Sequence, residues 1–121
     1  MTHDNLLYEL SKKFALRIIK LYSYLINENH ELIMSKQVYR SGTSIGANTR
    51  ESRNAQSRMD FLNKLNIALK EADETAYWLD LLHATDYIDD KQYESIDTDC
   101  SELIKLLTSI IKSLKVTDEG K

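Results

Sequence analysis

The chain has no proline, and only three glycines, at 42, 46 and 120, in 121 residues. With so few residues to punctuate it with turns, it should be mostly long helices joined by short connections. It has one cysteine, Cys100, so no internal disulfide can form. Cys100 falls in an apolar helical repeat, which predicts a buried, structural thiol. No apolar run approaches the ~18 residues that a membrane-spanning helix needs. The first residues, Thr2-His3-Asp4-Asn5, lack the basic stretch and apolar run of a secretory signal. The expectation is a soluble, cytoplasmic protein with no membrane partner.

What is present points to an all-α fold. A chain of this length is one domain, 1–121, and can bury roughly two thirds of its unfolded surface without a metal or disulfide. Apolar residues make up 42% and charged residues 29%, the balance of an ordinary globular protein. Four amphipathic segments are expected, over about 5–26, 31–53, 58–84 and 90–114. In the first, Leu7, Leu10, Phe14, Ile18, Leu21 and Leu25 recur at steps of three and four. Ala15, Ile19, Tyr22 and Ile26 broaden that stripe. The third is marked by Phe61, Leu65, Ala68, Ala72, Thr75, Leu79 and Leu82, and the fourth by Ile96, Cys100, Leu103, Leu107, Ile110 and Leu114. Asn29, Ser57 (with Asp60 three residues on) and Asp89 are the expected N-caps. Such segments with short loops predict an antiparallel up-down-up-down four-helix bundle with a left-handed twist.

The second segment departs from this pattern. Its apolar marks, Leu32, Met34, Val38, Ile45 and Ala47, are sparse, and Gly42 and Gly46 sit four apart. Two glycines inside a helix cost roughly 1 kcal/mol each against alanine, which suggests that another backbone approaches closely. Gln37, Ser41, Ser44, Asn48 and Glu51 line one helical face at steps of four, three, four and three. A polar stripe of this kind is either a buried hydrogen-bond network or a recognition surface. As a network it would pair Arg40 with Glu51 or with Glu74 from the third helix, while Ser41, Ser44 and Asn48 bond across helices. An unpaired buried charge would cost several kcal/mol.

The net charge of −3 is unevenly spread. Residues 36–70 carry seven Lys/Arg against two Asp/Glu, and residues 71–102 carry one Lys against eleven Asp/Glu. Two readings follow: solvated faces that attract each other within or between bundles, or a basic patch for nucleic acid. For the second, the candidate residues are Lys36, Arg50, Arg53, Arg58 and Lys64, densest around the second loop. No aromatic residue lies between Arg50 and Asp60, which argues against recognition of stacked single-stranded bases.

Catalytic and metal chemistry find no constellation. A di-iron bundle needs Glu-x-x-His on two helices, and the nearest match is a single Asp80-x-x-His83. No Gly-x-Ser-x-Gly elbow and no glycine-rich phosphate loop occur. No enzyme activity, cofactor or metal is expected.

At Arg40-Ser41-x-x-Ser44-Ile45-x-Ala47-Asn48-x-x-Glu51 the chain resembles the bacterial four-helix-bundle proteins encoded by intervening sequences of 23S rRNA genes. The likeness runs on through Asp60-Phe61, Ile67-Ala68, Glu71, Glu74 and Tyr87-Ile88, over roughly residues 10–115. Members often read Asn-Ile-Ala-Glu-Gly where this chain reads Asn48-Thr49-Arg50-Glu51-Ser52. The resemblance implies a homopentameric ring and no established activity. It extends to relatives similar to the accessory protein of diversity-generating retroelements, a basic pentamer that works with a reverse transcriptase and RNA. Nucleic acid or a nucleic-acid-processing enzyme is therefore an implied partner, and a purely structural or protein-interaction scaffold is the alternative.

Overall fold

The computed structural model describes residues 2–119, with side chains described for 6–115. Four helices fill it: α1 (Thr2–Asn27), α2 (Met34–Ser52), α3 (Arg58–Ala84) and α4 (Asp90–Glu119). Each packs on its neighbours in sequence and α1 closes on α4, so that all four helices surround one core. No strand occurs among the described residues. This is an antiparallel, all-α four-helix bundle.

The core comes from the expected stripes. Phe14, Ile18 and Leu25 of α1, Leu65, Leu79 and Leu82 of α3, and Cys100, Leu103 and Leu107 of α4 are shut off from solvent. α2 contributes only Val38 and Ile45 as large buried apolar residues; its other buried positions are Ser35, Ser41, Gly42, Thr49 and Ser52. Two expected core marks of this segment are exposed instead. Ala47 faces outward, and Leu32, 59% exposed, lies in the connection before the helix. Ile19 of α1, at the edge of its stripe, is exposed as well.

Small residues let α2 sit close to its neighbours. A Cβ on Gly42 would fall 2.7 Å from Ile18 Cγ1 and 2.9 Å from its Cγ2. Those are the branch atoms next to the Ile18 backbone, so they cannot swing clear. A Cβ on Gly46 would lie 3.5 Å from the Ser11 carbonyl oxygen, an ordinary contact. Most hydroxyls of α2 are satisfied locally: Ser41, Thr43 and Ser44 donate to the carbonyls of Gln37, Tyr39 and Arg40, one turn back, whereas the buried Ser35 hydroxyl has no partner among the described residues. Two of its hydroxyl residues also reach across. Thr75 of α3 donates to Ser41 at 2.9 Å, and Thr49 shares a 3.0 Å hydrogen bond with Ser11 of α1. The bond to Ser11 supplies the partner that a buried hydroxyl requires.

The helix starts explain the boundaries. α2 begins at Met34 rather than near Glu31, and Asn29 is not its cap. The buried Glu31 carboxylate turns back instead and accepts from the backbone N–H groups of Ile33, Met34 and Ser35. A carboxylate at this position satisfies orphan donors and complements the helix dipole. Asn29 donates its amide to the Tyr87 carbonyl, tying the first loop to the last. Ser57 accepts from the Asp60 N–H, as its sequence position implies. Asp89 and Gln92 form a reciprocal box, each side chain bonding the other's backbone N–H.

Two tests follow from this packing. Gly42→Ala should destabilise the fold by about 1–3 kcal/mol through overpacking on Ile18. Gly46→Ala should be neutral or stabilising by up to about 1 kcal/mol. Chemical denaturation of both variants checks the difference, and equal losses would contradict it. Burial, with Asp97 and Asp73 nearby, pushes the Cys100 thiol up to about 12. A thiol reagent at mildly alkaline pH should therefore leave native Cys100 unmodified and label it fully in denaturant.

Candidate nucleic-acid interface

The polar stripe of α2 splits into two environments. Ser41 is buried and bonded across to Thr75, whereas Ser44 and Asn48 are half-buried and donate to carbonyls of their own helix. Arg40 reaches α3, where it pairs with Glu71 at 3.2 Å and also with Glu74. Glu51 pairs at 2.9 Å with Lys64 instead. The reason is distance: Arg40 and Glu51 share a face but stand eleven residues apart, about 16 Å along the axis. Gln37 is half-buried on the same stripe. The indole N–H of Trp78 donates to Glu74 at 3.0 Å, and that bond, with Arg40, holds the Glu74 carboxyl below the usual glutamate range.

Four of the five candidate basic residues gather at one end of the bundle. Arg50 and Arg53, in the last turn of α2 and just after it, converge on Tyr8 of α1. Arg50 donates to the Tyr8 hydroxyl at 3.3 Å, and the Arg53 guanidinium lies 5.1 Å above the ring centroid. This cation–π contact fixes the direction of a long side chain at an exposed site. Arg58, at the start of α3, leans toward the Leu114 carbonyl of α4 at 3.5 Å. Lys64, one and a half turns further on, is held charged by its bond to Glu51. Lys36 is not part of this group. It sits in the first turn of α2, fourteen residues before Arg50, about 21 Å away along the helix.

The antiparallel arrangement adds what the linear sequence separates. The first half of α1 and the last half of α4 arrive at the same end, bringing Lys12 and Lys13 from one and Lys105, Lys112 and Lys115 from the other. Over residues 2–14, 46–70 and 102–119 this half holds ten Lys/Arg against seven Asp/Glu. The opposite half, 15–45 and 71–101, holds five against twelve. The two charge blocks of the sequence are thus the two ends of one molecule, and the bundle is an electric dipole along its axis. Tyr8 is the residue that sequence reasoning missed. Its signal is nonlocal, because it lies 42 positions before Arg50. Among the described residues no cluster of three His, Cys, Asp or Glu could hold a metal, and no helix is long and apolar enough to cross a membrane.

The Trp78–Glu74–Arg40 chain has its own readout, since Trp78 is the sole tryptophan. A depressed folded-state carboxyl contributes stability above its unfolded value and loses it as pH falls through the folded value. Glu74 is 36% exposed, so the effect is at most about 1 kcal/mol. Tryptophan emission should shift in acid with a midpoint below the ordinary glutamate range, and Glu74→Gln should abolish that shift. An unchanged titration in the variant would rule out the contact.

Relatives share this architecture. A crystal structure of a protein of unknown function from the S23 ribosomal protein family of Bacteroides thetaiotaomicron VPI-5482 superposes with a TM-score of 0.90. It is 62% identical, and the alignment covers 91% of this chain and 98% of that one. No curated protein matches. The sequence signature of 23S rRNA-intervening sequence proteins matches residues 3–109, and the chain belongs to that family.

Proposed function

We propose that this protein is a non-enzymatic, self-associating module that binds the phosphate backbone of nucleic acid at the basic end of its bundle. The observation that carries the reading is the charge segregation, ten basic against seven acidic residues in the half that holds the second loop and five against twelve in the other. Lysine and arginine clustered in space supply the sequence-independent, counterion-releasing part of nucleic-acid affinity. Tyr8 adds order rather than a stacking platform, because Arg53 already occupies one face of its ring. Structured RNA or duplex DNA therefore suits this end better than unpaired bases. The names of the family and of the solved relative connect those proteins with ribosomal RNA and the ribosome, a setting in which such a surface has a use.

A second reading, a scaffold that binds only protein, is favoured by the apolar side chains left on the surface. Leu16, Ile19 and Tyr39 are exposed, and α1 and α2 carry Tyr39 packed against Tyr22 with ring centroids 4.8 Å apart. Both readings share self-association, for which a pentamer is the expected form; only the first requires nucleic acid.

The test is a gel-shift series with structured RNA and duplex DNA across salt. Wild type should bind weakly at about 50 mM salt, where such contacts are little screened. Log affinity should fall by about 0.9 per phosphate contact for each decade of salt. Replacing Arg50, Arg53 and Arg58 together by Ala should flatten that slope by about 3 and abolish retention, with helicity and assembly intact. Absence of any salt-sensitive shift in wild type would leave the scaffold reading standing.

A further inference from the structure

The seam between α1 and α4 is the loosest of the four, and a groove of about 530 Å³ opens along it in the acidic half of the bundle. Its floor is apolar, built from Leu21, Ile88 and Ile96 with Tyr24 at one side. Arg17, Lys20 and Lys91 stand around it, and no carboxylate lines it. The nearby Asp99 is taken up by Arg17 at 2.8 Å. Three of the five basic residues of this half are thus concentrated on one groove, a local inversion of sign. A groove with an apolar floor and a cationic rim fits an occupant with an apolar projection flanked by carboxylates.

The same chain carries such an element on the outer face of α3. Tyr77 is 55% exposed, with Asp73 one turn before it and Asp80 one turn after, both exposed. Asp97 of α4 adds to the same acidic surface: burial, with Asp97 and Asp80 alongside, raises the Tyr93 phenol, and Asp97 and Asp73 flank Cys100 in the same way. We propose that the α1–α4 groove receives the Tyr77 face of a second copy of this chain, with Asp73 and Asp80 meeting Lys20 and Lys91, the rim cations not already paired as Arg17 is with Asp99. The inference rests on the self-association reading and names the two surfaces that meet. Because they are different patches, the contact is heterologous and propagates from one copy to the next, closing into a ring or continuing as a chain. It leaves the basic end of each copy uncovered.

Charge reversal tests the pairing. Light scattering at micromolar concentration and low salt should show wild type well above the 14.0 kDa of one chain. Lys20→Glu with Lys91→Glu should shift the protein toward that single-chain mass, and so should Asp73→Lys with Asp80→Lys. All four substitutions in one chain restore opposite signs and should restore assembly, with circular dichroism confirming that every variant is folded. A monomeric wild type would overturn both this inference and the self-association reading. An assembled wild type whose double variants keep their mass would overturn the inference alone, leaving the groove to a foreign acidic partner. Double variants that dissociate without rescue by the fourfold swap would also overturn the pairing of these two faces.

Discussion

The close approach of α2 to its two neighbours is the constraint on which the rest of the bundle depends. Gly42 lies against Ile18 with no room for a methyl group, and the hydroxyl pairs Ser41–Thr75 and Ser11–Thr49 bridge α2 to α3 and α1. A helix with only Val38 and Ile45 as large buried apolar residues gains little from the hydrophobic effect. It gains instead from dense packing and from the hydroxyls of Ser41 and Thr49, which find partners across to α3 and α1 as a buried polar group needs; the buried Ser35 hydroxyl has no partner among the described residues. Outside this buried layer, Arg40 clamps α2 to Glu71 and Glu74 of α3 and Lys64 returns the favour to Glu51. These exposed ion pairs add orientation more than stability.

This arrangement decides what α2 has left to offer a partner. Its serine and threonine hydroxyls, apart from that of the buried Ser35, and the Asn48 amide are engaged with carbonyls of the same helix or with a neighbouring helix. Of the stripe that reads in sequence as a possible recognition surface, Ser41 and Glu51 bond across to α3, while Ser44 and Asn48 bond within their own helix. Arg50 and Arg53 differ, since their guanidinium groups lie at the exposed end and are steadied by Tyr8 rather than neutralised by a carboxylate. A cation ordered by an aromatic ring keeps its full charge, and it has already lost part of the side-chain entropy that binding would cost.

Much of this was legible in the sequence because it is local or periodic. The stripes of α1, α3 and α4, the Ser57–Asp60 start and the Asp89 start need only neighbours within a few residues, and the structure has them. The charge blocks 36–70 and 71–102 were legible as composition. What could not be read are the contacts between positions far apart in the chain. Glu31 capping α2 displaced its start by three residues, because a glutamate two to four residues ahead of a helix can serve as its cap without fitting the common Ser/Thr/Asp/Asn pattern. Glu51 shares a face with Arg40 but is too distant to touch it. Lys36 belongs to the basic block in sequence and to the opposite end in space. Tyr8 joins the site only when α1 folds back beside α2.

We propose that the phosphate-binding surface is the bundle end around Tyr8, Arg50, Arg53 and Arg58, and that the Arg40–Asn48 face of α2 is not part of it. The most direct measurement is a photocrosslinking footprint, read by mass spectrometry, of the wild-type protein with a structured RNA at low salt. Crosslinks should fall in residues 50–58 and in the C-terminal half of α4, with none on the Arg40–Asn48 face of α2. Crosslinks concentrated on that face, or in the groove between α1 and α4, would contradict it.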